Sequence, residues 1–314
     1  MKPFSIVICT YNKAESIHAV LTSLNSLRGK ELFEVQLVID GATDNTLEKV
    51  LAVEKDYEFY YHQIPNSGLT GARNYGVDQS NGDYIVFCDD DVIFNPSFIT
   101  TLQCSVQRHP EHVHVGDILN IDKKHTQKVW LDILQGKLDY VNLLDLQSGQ
   151  VFFDGIKKLY HFEDQYKDFS PAVWWAVVTG GNLCIPKKYF KTIGYFDPAI
   201  QGWGPEDADL CYRFFKKGVK AIFNRYNYLY HLDHDRDHKK IMDTMLKNAI
   251  HFIKKYNKPK ELYQYLNFTN GKISLKEFNK FCSDLYEMED IVIPHYHLSM
   301  VDYSKQEQIL KVNS

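Results

Sequence analysis

Residues Tyr84–Asp91 read YIVFCDDD, an apolar run that ends in three consecutive acids. The run Tyr84–Cys88 predicts a buried β-strand. Carboxylates placed directly after such a strand repel one another unless a divalent cation lies among them, because hard cations take carboxylate oxygens as ligands. In extended backbone the side chains of Asp89 and Asp91 leave on the same side. The stretch therefore indicates a metal site at the end of a strand, with a solvated acidic turn as the alternative.

The residues before this stretch alternate between strand and helix patterns. Strands are predicted over Phe4–Thr10, Phe33–Ile39 and Glu58–Tyr61, and helices over Ala14–Leu27, from a Thr43 or Asp44 cap through Leu51, and over Gly71–Gln79. This alternation predicts an α/β fold with a parallel, doubly wound sheet. Ligands of such sheets bind beyond the carboxyl ends of the strands. The segment Thr10-Tyr11-Asn12 and Asp40 occupy that position, as the three acids do.

The pattern becomes helical after about residue 240. Helices are predicted over Ile241–Tyr256, Glu261–Leu266 and Leu275–Glu287. The first of them is rich in lysine. It packs on the rest of the chain, forms a homo-oligomer, or contacts an anionic membrane surface through its lysine face. Packing is the first expectation.

Composition narrows the class of protein. The chain has 314 residues, of which 44% are hydrophobic, and a net charge of −4, so a large core is expected. Its basic residues are scattered, which argues against nucleic-acid binding. Six cysteines lie far apart without a CxxC pair, which indicates a reducing compartment. We see neither a signal peptide nor an apolar run of about 20 residues, and therefore expect a cytoplasmic protein, with peripheral contact to the inner face of the membrane left open.

Five motifs follow one another in a set order: SIVICTYN at 5–12, VIDGATDNT at 38–46, NSG with GARN at 66–74, GDY leading to DDD at 82–91, and GWGPED at 202–207. Together they resemble family 2 glycosyltransferases, nucleotide-sugar-dependent enzymes of the GT-A type, over about residues 4–235. The last motif, with the histidines after it, is most similar to the branch of chondroitin polymerase and the β-1,4-galactosyltransferases. The resemblance implies a Rossmann-like, mostly parallel sheet flanked by helices over residues 1–238. Its nucleotide-binding half would span 1–115 and its acceptor-binding half 116–238, before a helical extension over 239–314.

The resemblance also implies where the nucleotide and its metal bind. Asp91 would be the direct ligand of Mn²⁺ or Mg²⁺, and Asp89 would bind the ribose or reach the metal through water. Asp40 would accept a hydrogen bond from the uracil N3–H. The family usually has two consecutive acids there, and the first is Ile39 here. The remaining nucleotide contacts would come from Thr10, Tyr11, Asn12, Arg73 and Asp90. For Arg73 the alternative is an ordinary surface helix residue.

Two histidines after the last motif complete the implied metal site. His234 begins a pattern like that of the galactosyltransferases, whereas the Tyr-His pair at His231 is like that of chondroitin polymerase. The resemblance does not decide between them. A solvated, charged loop is the alternative, and a zinc site formed by these two and His238 matches no standard ligand spacing.

The resemblance assigns the chemistry to the Glu-Asp pair. A hydroxyl that attacks the donor sugar needs a base within hydrogen-bond reach; Asp207 would be that base, and Glu206 would orient the acceptor or tune its neighbour. One base without an enzyme nucleophile implies a single displacement with inversion at the anomeric carbon. Trp203 would pack on a sugar ring, or plug the core under its loop. The remaining sugar contacts would come from Gly181, Asn182 and Trp175, with core packing as the alternative for Trp175.

The leading hypothesis is a hexosyl- or N-acetylhexosaminyltransferase that uses a UDP-sugar and a saccharide or glycoconjugate acceptor. The main alternative is a non-catalytic sugar-nucleotide-binding or scaffold protein on the same fold. A nucleotidyltransferase is disfavoured because the first loop, at 10–13, has no glycine. A glycosidase also uses two carboxylates, but it would not need Asp40, Arg73 and the three acids.

Overall fold

The computed structural model describes residues 2–121, 123–135, 147–150, 171–234 and 238–288. Within these residues one sheet contains nine strands: β1 (Phe4–Thr10), β2 (Phe33–Asp40), β3 (Glu58–Ile64), β4 (Tyr84–Cys88), β5 (Val92–Phe94), β6 (Val113–Ile121), β7 (Gln147–Gln150), β8 (Asn182–Pro186) and β9 (Ala221–Leu232). Their order is β3-β2-β1-β4-β8-β6-β9-β5, with β7 beside β6.

The helices run in chain order between and after the strands. They are α1 (Ala14–Leu24), α2 (Thr46–Ala52), α3 (Gly68–Gln79), α4 (Phe98–Arg108), α5 (Lys123–Leu134), α6 (Lys188–Ile193), α7 (Glu206–Lys216), α8 (His238–Lys255), α9 (Lys260–Thr269) and α10 (Leu275–Met288). In the described part of the chain, each helix is too short or too polar to cross a membrane.

The predicted α/β fold is confirmed, with a mixed rather than wholly parallel sheet. The first four strands in space, β3-β2-β1-β4, are parallel. Beyond them β4 and β8, β8 and β6, and β9 and β5 pair antiparallel, whereas β6 and β9 are parallel. The strands predicted from the sequence lie in the parallel part, and β1 and β4 there read as mostly apolar runs, as strands buried on both faces do.

The sheet is covered on both faces. Alternate residues of β1 point to opposite sides. Phe4, Ile6 and Ile8 join a core with α1, α2 and α4. Val7 joins a second core with α3 and the helices from α6 onward. Gly76 of α3 lets that helix approach closely, since a Cβ there would lie 2.4 Å from Val7 Cγ1.

The C-terminal helices pack against the sheet unit, as the first of the three alternatives predicted. Trp175, in the short helix Pro171–Ala176, is fully buried. Its ring centroid lies 4.9 Å from that of Tyr212 in α7 and 5.3 Å from that of Tyr265 in α9. Phe252 of α8 and Phe278 of α10 also contact Trp175. Helices α7–α10 therefore share one core, and residues 289–314 of the predicted extension lie outside the described residues.

Candidate active site

The candidate site lies where the parallel strands end. Thr10 ends β1, Asp40 ends β2 and Asp89 follows β4. The turn before β8, at 179–181, and the first residues of α7 approach the same edge. Parallel strands present their carboxyl ends together, so the fold collects residues that are distant in sequence.

One cluster contains three side chains suited to a divalent cation. Asp91, His231 and His234 offer ligand atoms that all lie within 4.8 Å of one another. Asp91 Oδ2 lies 2.9 Å from His234 Nε2, and Asp91 Oδ1 lies 3.6 Å from His231 Nε2. The pairing of β5 with β9 produces this arrangement, because Leu232 N–H donates to the Asp91 carbonyl at 2.9 Å. Both histidines left open by the resemblance thus lie beside Asp91.

The geometry of this cluster fits a bound ion. Asn120 Oδ1 on β6 lies 2.8 Å from His231 Nδ1, so Nδ1–H donates to Asn120 and Nε2 is the ring nitrogen left to face Asp91 or an ion. An ion with bonds of about 2.1 Å holds neighbouring ligand atoms about 3.0–3.4 Å apart. The separations of 2.9 and 3.6 Å lie just below and just above that interval, so small side-chain shifts would bring these atoms onto one ion. The sequence did not predict Asn120, because β6 lies in a stretch without clear periodicity.

The electrostatics of the cluster keep Asp91 charged. Burial alone would raise the pKa of Asp91, but the ring nitrogens of His231 and His234 and the Lys13 ammonium hold that pKa well below its usual range. Lys13 Nζ lies 3.2 Å from Asp91 Oδ2 and 2.9 Å from His234 Nε2. Lys13 is a second residue that the sequence did not single out for this site.

Asp89 lies outside this cluster, and its predicted role, binding the ribose or reaching the metal through water, stays a prediction. Among the described side chains, the group close enough to share one ion does not include it. Its carboxylate is 40% exposed and lies 3.5 Å from Arg73 Nη2. Residues 90 and 91 form a turn rather than extended backbone, so the same-side argument does not apply. Asp90 lies in that turn near Thr10 and Lys13, and burial followed by the charge of Asp91 raises its pKa.

Arg73 joins the acids of β4 to those of α7. Its side chain is buried, so the surface alternative was wrong. Nη1 donates to Asp207 Oδ1 at 2.8 Å and to Glu206 Oε1 at 3.2 Å. The Gly180 N–H donates to Asp207 Oδ2 at 2.7 Å, and a Cβ at Gly180 would lie 2.6 Å from Asp207 Oδ1. Each carboxylate oxygen of Asp207 thus accepts a hydrogen bond, which fixes the side chain at the same edge of the sheet as Asp89.

Glu206 is buried beside this pair. Its Oε2 has no hydrogen-bond partner among the described residues. Burial, and then the charge of Asp207, raise the pKa of Glu206 from its ordinary 4.5 to about 7. Near neutral pH this carboxyl group can therefore hold a proton and donate it to a polar ligand atom, which an ionised carboxylate cannot do.

We expect the Glu206→Gln variant to change how stability depends on pH. The folded protein binds more protons at Glu206 than the unfolded chain between pH 4.5 and 7, so the wild type loses stability as pH rises through that window, by on the order of 1–3 kcal/mol. Glutamine cannot ionise and avoids this loss. Urea unfolding at several pH values should show the stability of the variant rising relative to wild type from pH 4.5 to 7 and levelling off above. Parallel profiles would contradict a raised pKa.

The predicted base pocket is only partly available to a ligand. Tyr11 is 51% exposed and free to stack on a planar ligand. Asp40 is buried, and its Oδ1 accepts hydrogen bonds from Ser67 N–H at 2.7 Å and Ser67 Oγ at 3.0 Å. The exposed Asn12 side chain joins two loops, because its Oδ1 accepts from Thr43 N–H at 2.7 Å and its amide also meets Thr43 Oγ1. Its predicted contact with the nucleotide stays a prediction.

Two of the predicted sugar contacts are also corrected. Asn182 is buried, and its Nδ2 donates to the carbonyls of Asp117 and Asn227, at 2.9 and 3.0 Å. It bridges β6 and β9 where their register shifts. Trp175 lies in the core shared by α7–α10, so core packing, the alternative for this residue, is what the structure shows.

The other two sugar-site predictions lie at the edge of the sheet. Gly181 faces the acids, since a Cβ there would lie 2.4 Å from Asp89 Oδ2. Trp203 is half-buried, and α8 holds its backbone through Thr244 and Asn248. The described part of the structure does not include residues 235–237, which follow His234 in its sequence pattern. It does not include the side chain of His238 either.

A separate cavity of about 560 Å³ lies at the other end of α7. Its lining includes five basic side chains and one acid: Arg213, Lys216, Lys217, Lys258, Lys260 and Glu261. It contains none of the predicted catalytic residues, so we place the chemistry at the edge of the sheet rather than here.

Comparisons with known proteins give two family matches and several relatives. Residues 5–169 match the family model described as glycosyl transferase family 2, and residues 160–235 match the one described as the N-terminal domain of galactosyltransferase. An uncharacterized glycosyltransferase, YfnE of Bacillus subtilis, is 24% identical over 90% of this chain and 78% of its own. The chondroitin synthase of Escherichia coli is 25% identical over 68% of this chain, which spans only 32% of that protein.

Solved structures show the same fold. S. aureus TarS 1–349 in complex with UDP-GlcNAc superposes with a TM-score of 0.60 at 17% identity, covering 93% of this chain and 78% of that one. GalNAc-T7 with UDP, GalNAc and Mn²⁺ gives 0.57 at 17% identity, covering 93% and 56%. These likenesses confirm the GT-A-type architecture.

Proposed function

Because the chain belongs to glycosyltransferase family 2, we propose that it is an inverting, metal-dependent enzyme that transfers a sugar from UDP to a saccharide or glycoconjugate hydroxyl group. Glycosyltransferase activity follows from the family and its relatives. One observation carries the proposal of an inverting, metal-dependent mechanism. The carboxylate of Asp207, fixed by two hydrogen-bond donors, lies at the same edge of the sheet as the cluster of Asp91, His231 and His234.

Asp207 is proposed as the general base. Arg73 and the Gly180 N–H fix its carboxylate, and 18% of its side chain remains exposed toward a ligand. The acceptor hydroxyl gives its proton to Asp207 while its oxygen bonds to the anomeric carbon. The bond from that carbon to the phosphate oxygen breaks, and UDP leaves with the electron pair. A single displacement of this kind inverts the anomeric centre.

Asp91, His231 and His234 are proposed to hold the metal. A divalent ion there would act as a Lewis acid that offsets the negative charge of the leaving diphosphate. Two imidazole ligands disfavour Mg²⁺, which prefers oxygen, so we propose Mn²⁺ as the working ion. GalNAc-T7, solved with UDP and Mn²⁺, supports this choice.

UDP is proposed as the nucleotide. Tyr11 is exposed enough to stack on a base, and Asp40 is held by Ser67 at the end of β2. Only one oxygen of Asp40 has a described partner, which leaves the other to accept from the uracil N3–H. The TarS complex with UDP-GlcNAc supports the same nucleotide.

A screen of nucleotide sugars tests the proposal. Thermal shift and UDP release would be measured with Mn²⁺ and UDP-, GDP- and dTDP-sugars, on the wild type, on Asp91→Ala and on the exposed-acid control Asp284→Ala. We expect stabilisation and slow donor hydrolysis with one UDP-sugar in the wild type and the control, and neither in Asp91→Ala. UDP binding without turnover across a broad acceptor panel would instead favour the scaffold alternative. The absence of any nucleotide response would contradict both.

We propose the basic cavity, rather than Lys255 of α8, as the place of peripheral contact with an anionic surface. Lys255 of α8 is engaged by Asp209 and Asp197, each at 2.8 Å. Lys217, Lys258 and Lys260 are exposed around the cavity. Co-sedimentation with phosphatidylglycerol vesicles, compared with phosphatidylcholine vesicles, would detect the contact.

A further inference from the structure

Lys13 lies where the loop after β1 meets the cluster of Asp91, His231 and His234. Its Nζ contacts Asp91 Oδ2 at 3.2 Å and His234 Nε2 at 2.9 Å. Those two atoms are themselves 2.9 Å apart. One ammonium group thus lies within hydrogen-bond distance of both atoms, and its donation to Asp91 Oδ2 does not depend on which ring nitrogen of His234 carries the hydrogen.

The buried carboxylate of Asp91 needs a positive charge beside it, which a bound metal or, without one, another cation must supply. Asp91 is buried, with 10% of its side chain exposed, and a buried carboxylate without a counter-charge is strongly destabilising. The Lys13 ammonium supplies that charge. Its backbone is fixed independently of this contact, since Lys13 N–H donates to Thr46 Oγ1 at 3.1 Å, while the long side chain stays 30% exposed.

We propose that Lys13 is a built-in counter-ion that occupies the cation position of the metal-free site and must be displaced when the metal binds. The proposal rests on the metal centre proposed above. Asp91 Oδ2 and His234 Nε2 cannot direct the same lone pairs at an ammonium group and at a metal ion. Binding of the ion is therefore an exchange of cations, and the ammonium group moves on its four-carbon stem toward solvent.

Direct metal binding tests the exchange without reference to activity. Mn²⁺ would be titrated into wild type, Lys13→Met, Lys13→Arg and the control Lys280→Met, with free Mn²⁺ followed by electron paramagnetic resonance. Lys280 lies in an exposed pair with Asp284, at 3.0 Å, so its loss changes the net charge equally. We expect Lys13→Met to bind Mn²⁺ about tenfold more tightly than wild type. Lys13→Arg and Lys280→Met should stay close to wild type.

Thermal stability gives a second readout. In EDTA, Lys13→Met should melt at a lower temperature than wild type because Asp91 loses its counter-charge. Added Mn²⁺ supplies that charge and should remove the difference in melting temperature. Unchanged or weaker Mn²⁺ binding by Lys13→Met would overturn the inference while leaving the metal centre in place. No Mn²⁺ binding by any of the four proteins would overturn the metal centre itself, and the inference with it.

Discussion

Replacing Asp207 with asparagine should lower the rate of sugar transfer by about 10²–10⁴-fold, the usual contribution of a positioned general base. The amide cannot take the proton of the acceptor hydroxyl. In the wild type one oxygen of Asp207 accepts a hydrogen bond from Arg73 and the other accepts one from the Gly180 N–H. In the variant the asparagine NH₂ group, itself a donor, would face one of these two donors. Some loss of stability should accompany the loss of turnover.

Binding measurements separate the two effects. UDP-sugar affinity measured with Mn²⁺ by calorimetry should stay within a few-fold of wild type, since Asp207 is not assigned to the nucleotide or the metal. Circular dichroism would establish the folded fraction at the assay temperature. A folded Asp207→Asn protein that transfers sugar at the wild-type rate would show that another group is the base.

Replacing Asp209 with alanine should destabilise the protein by about 3–5 kcal/mol, the cost of breaking a buried ion pair from one side. Asp209 is fully buried on α7. Its carboxylate accepts from Lys255 Nζ at 2.8 and 3.0 Å and from the Tyr256 hydroxyl at 2.9 Å, and it pairs with Arg213 at 3.2 Å. Without it, Arg213 and Lys255 lose their shared buried carboxylate at the junction of α7 and α8, and Lys255 keeps its pair with Asp197. Urea unfolding followed by tryptophan fluorescence would measure the change.

A surface acid provides the comparison. Asp284→Ala removes one partner of the exposed pair with Lys280 and should cost less than about 1 kcal/mol. Asp209→Asn keeps the size of the side chain and should fall between the two. If Asp209→Ala unfolded no more easily than Asp284→Ala, the buried network would not hold α8 on α7.

The parts of the fold that could be predicted from the sequence are those with strong local patterns. Strands β1 and β4 are mostly apolar runs, β2 alternates apolar and polar residues before Leu37–Ile39, and α1, α8 and α10 show helical spacing, so their existence was predicted within a few residues. The antiparallel strands β6, β8 and β9 are different, because their pairing depends on residues far away in the chain. Their partners are set by tertiary contacts that periodicity does not report.

The residues of the candidate site were likewise predicted from the sequence only in part. Asp91, His231 and His234 could be selected by residue type, but only the pairing of β5 with β9 brings them together. Lys13 and Asn120 were missed because a lysine after a strand and an asparagine in a strand carry no distinctive signal alone. Asn182 and Trp175 were assigned to the sugar since they adjoin family motifs, although their side chains face inward and satisfy backbone carbonyls or fill the core.

The core shared by α7–α10 has a consequence for biosynthesis. Trp175, Tyr212 and Phe215 emerge from the ribosome before the helices that cover them, since α8, α9 and α10 follow in the chain. Until α10 has been translated, an aromatic surface directly behind the helix that carries Asp207 stays open to water. Such surfaces are where nascent chains aggregate or recruit chaperones. The parallel strands β1–β4 can thus form early, whereas α7 reaches its final position only among the last steps of folding.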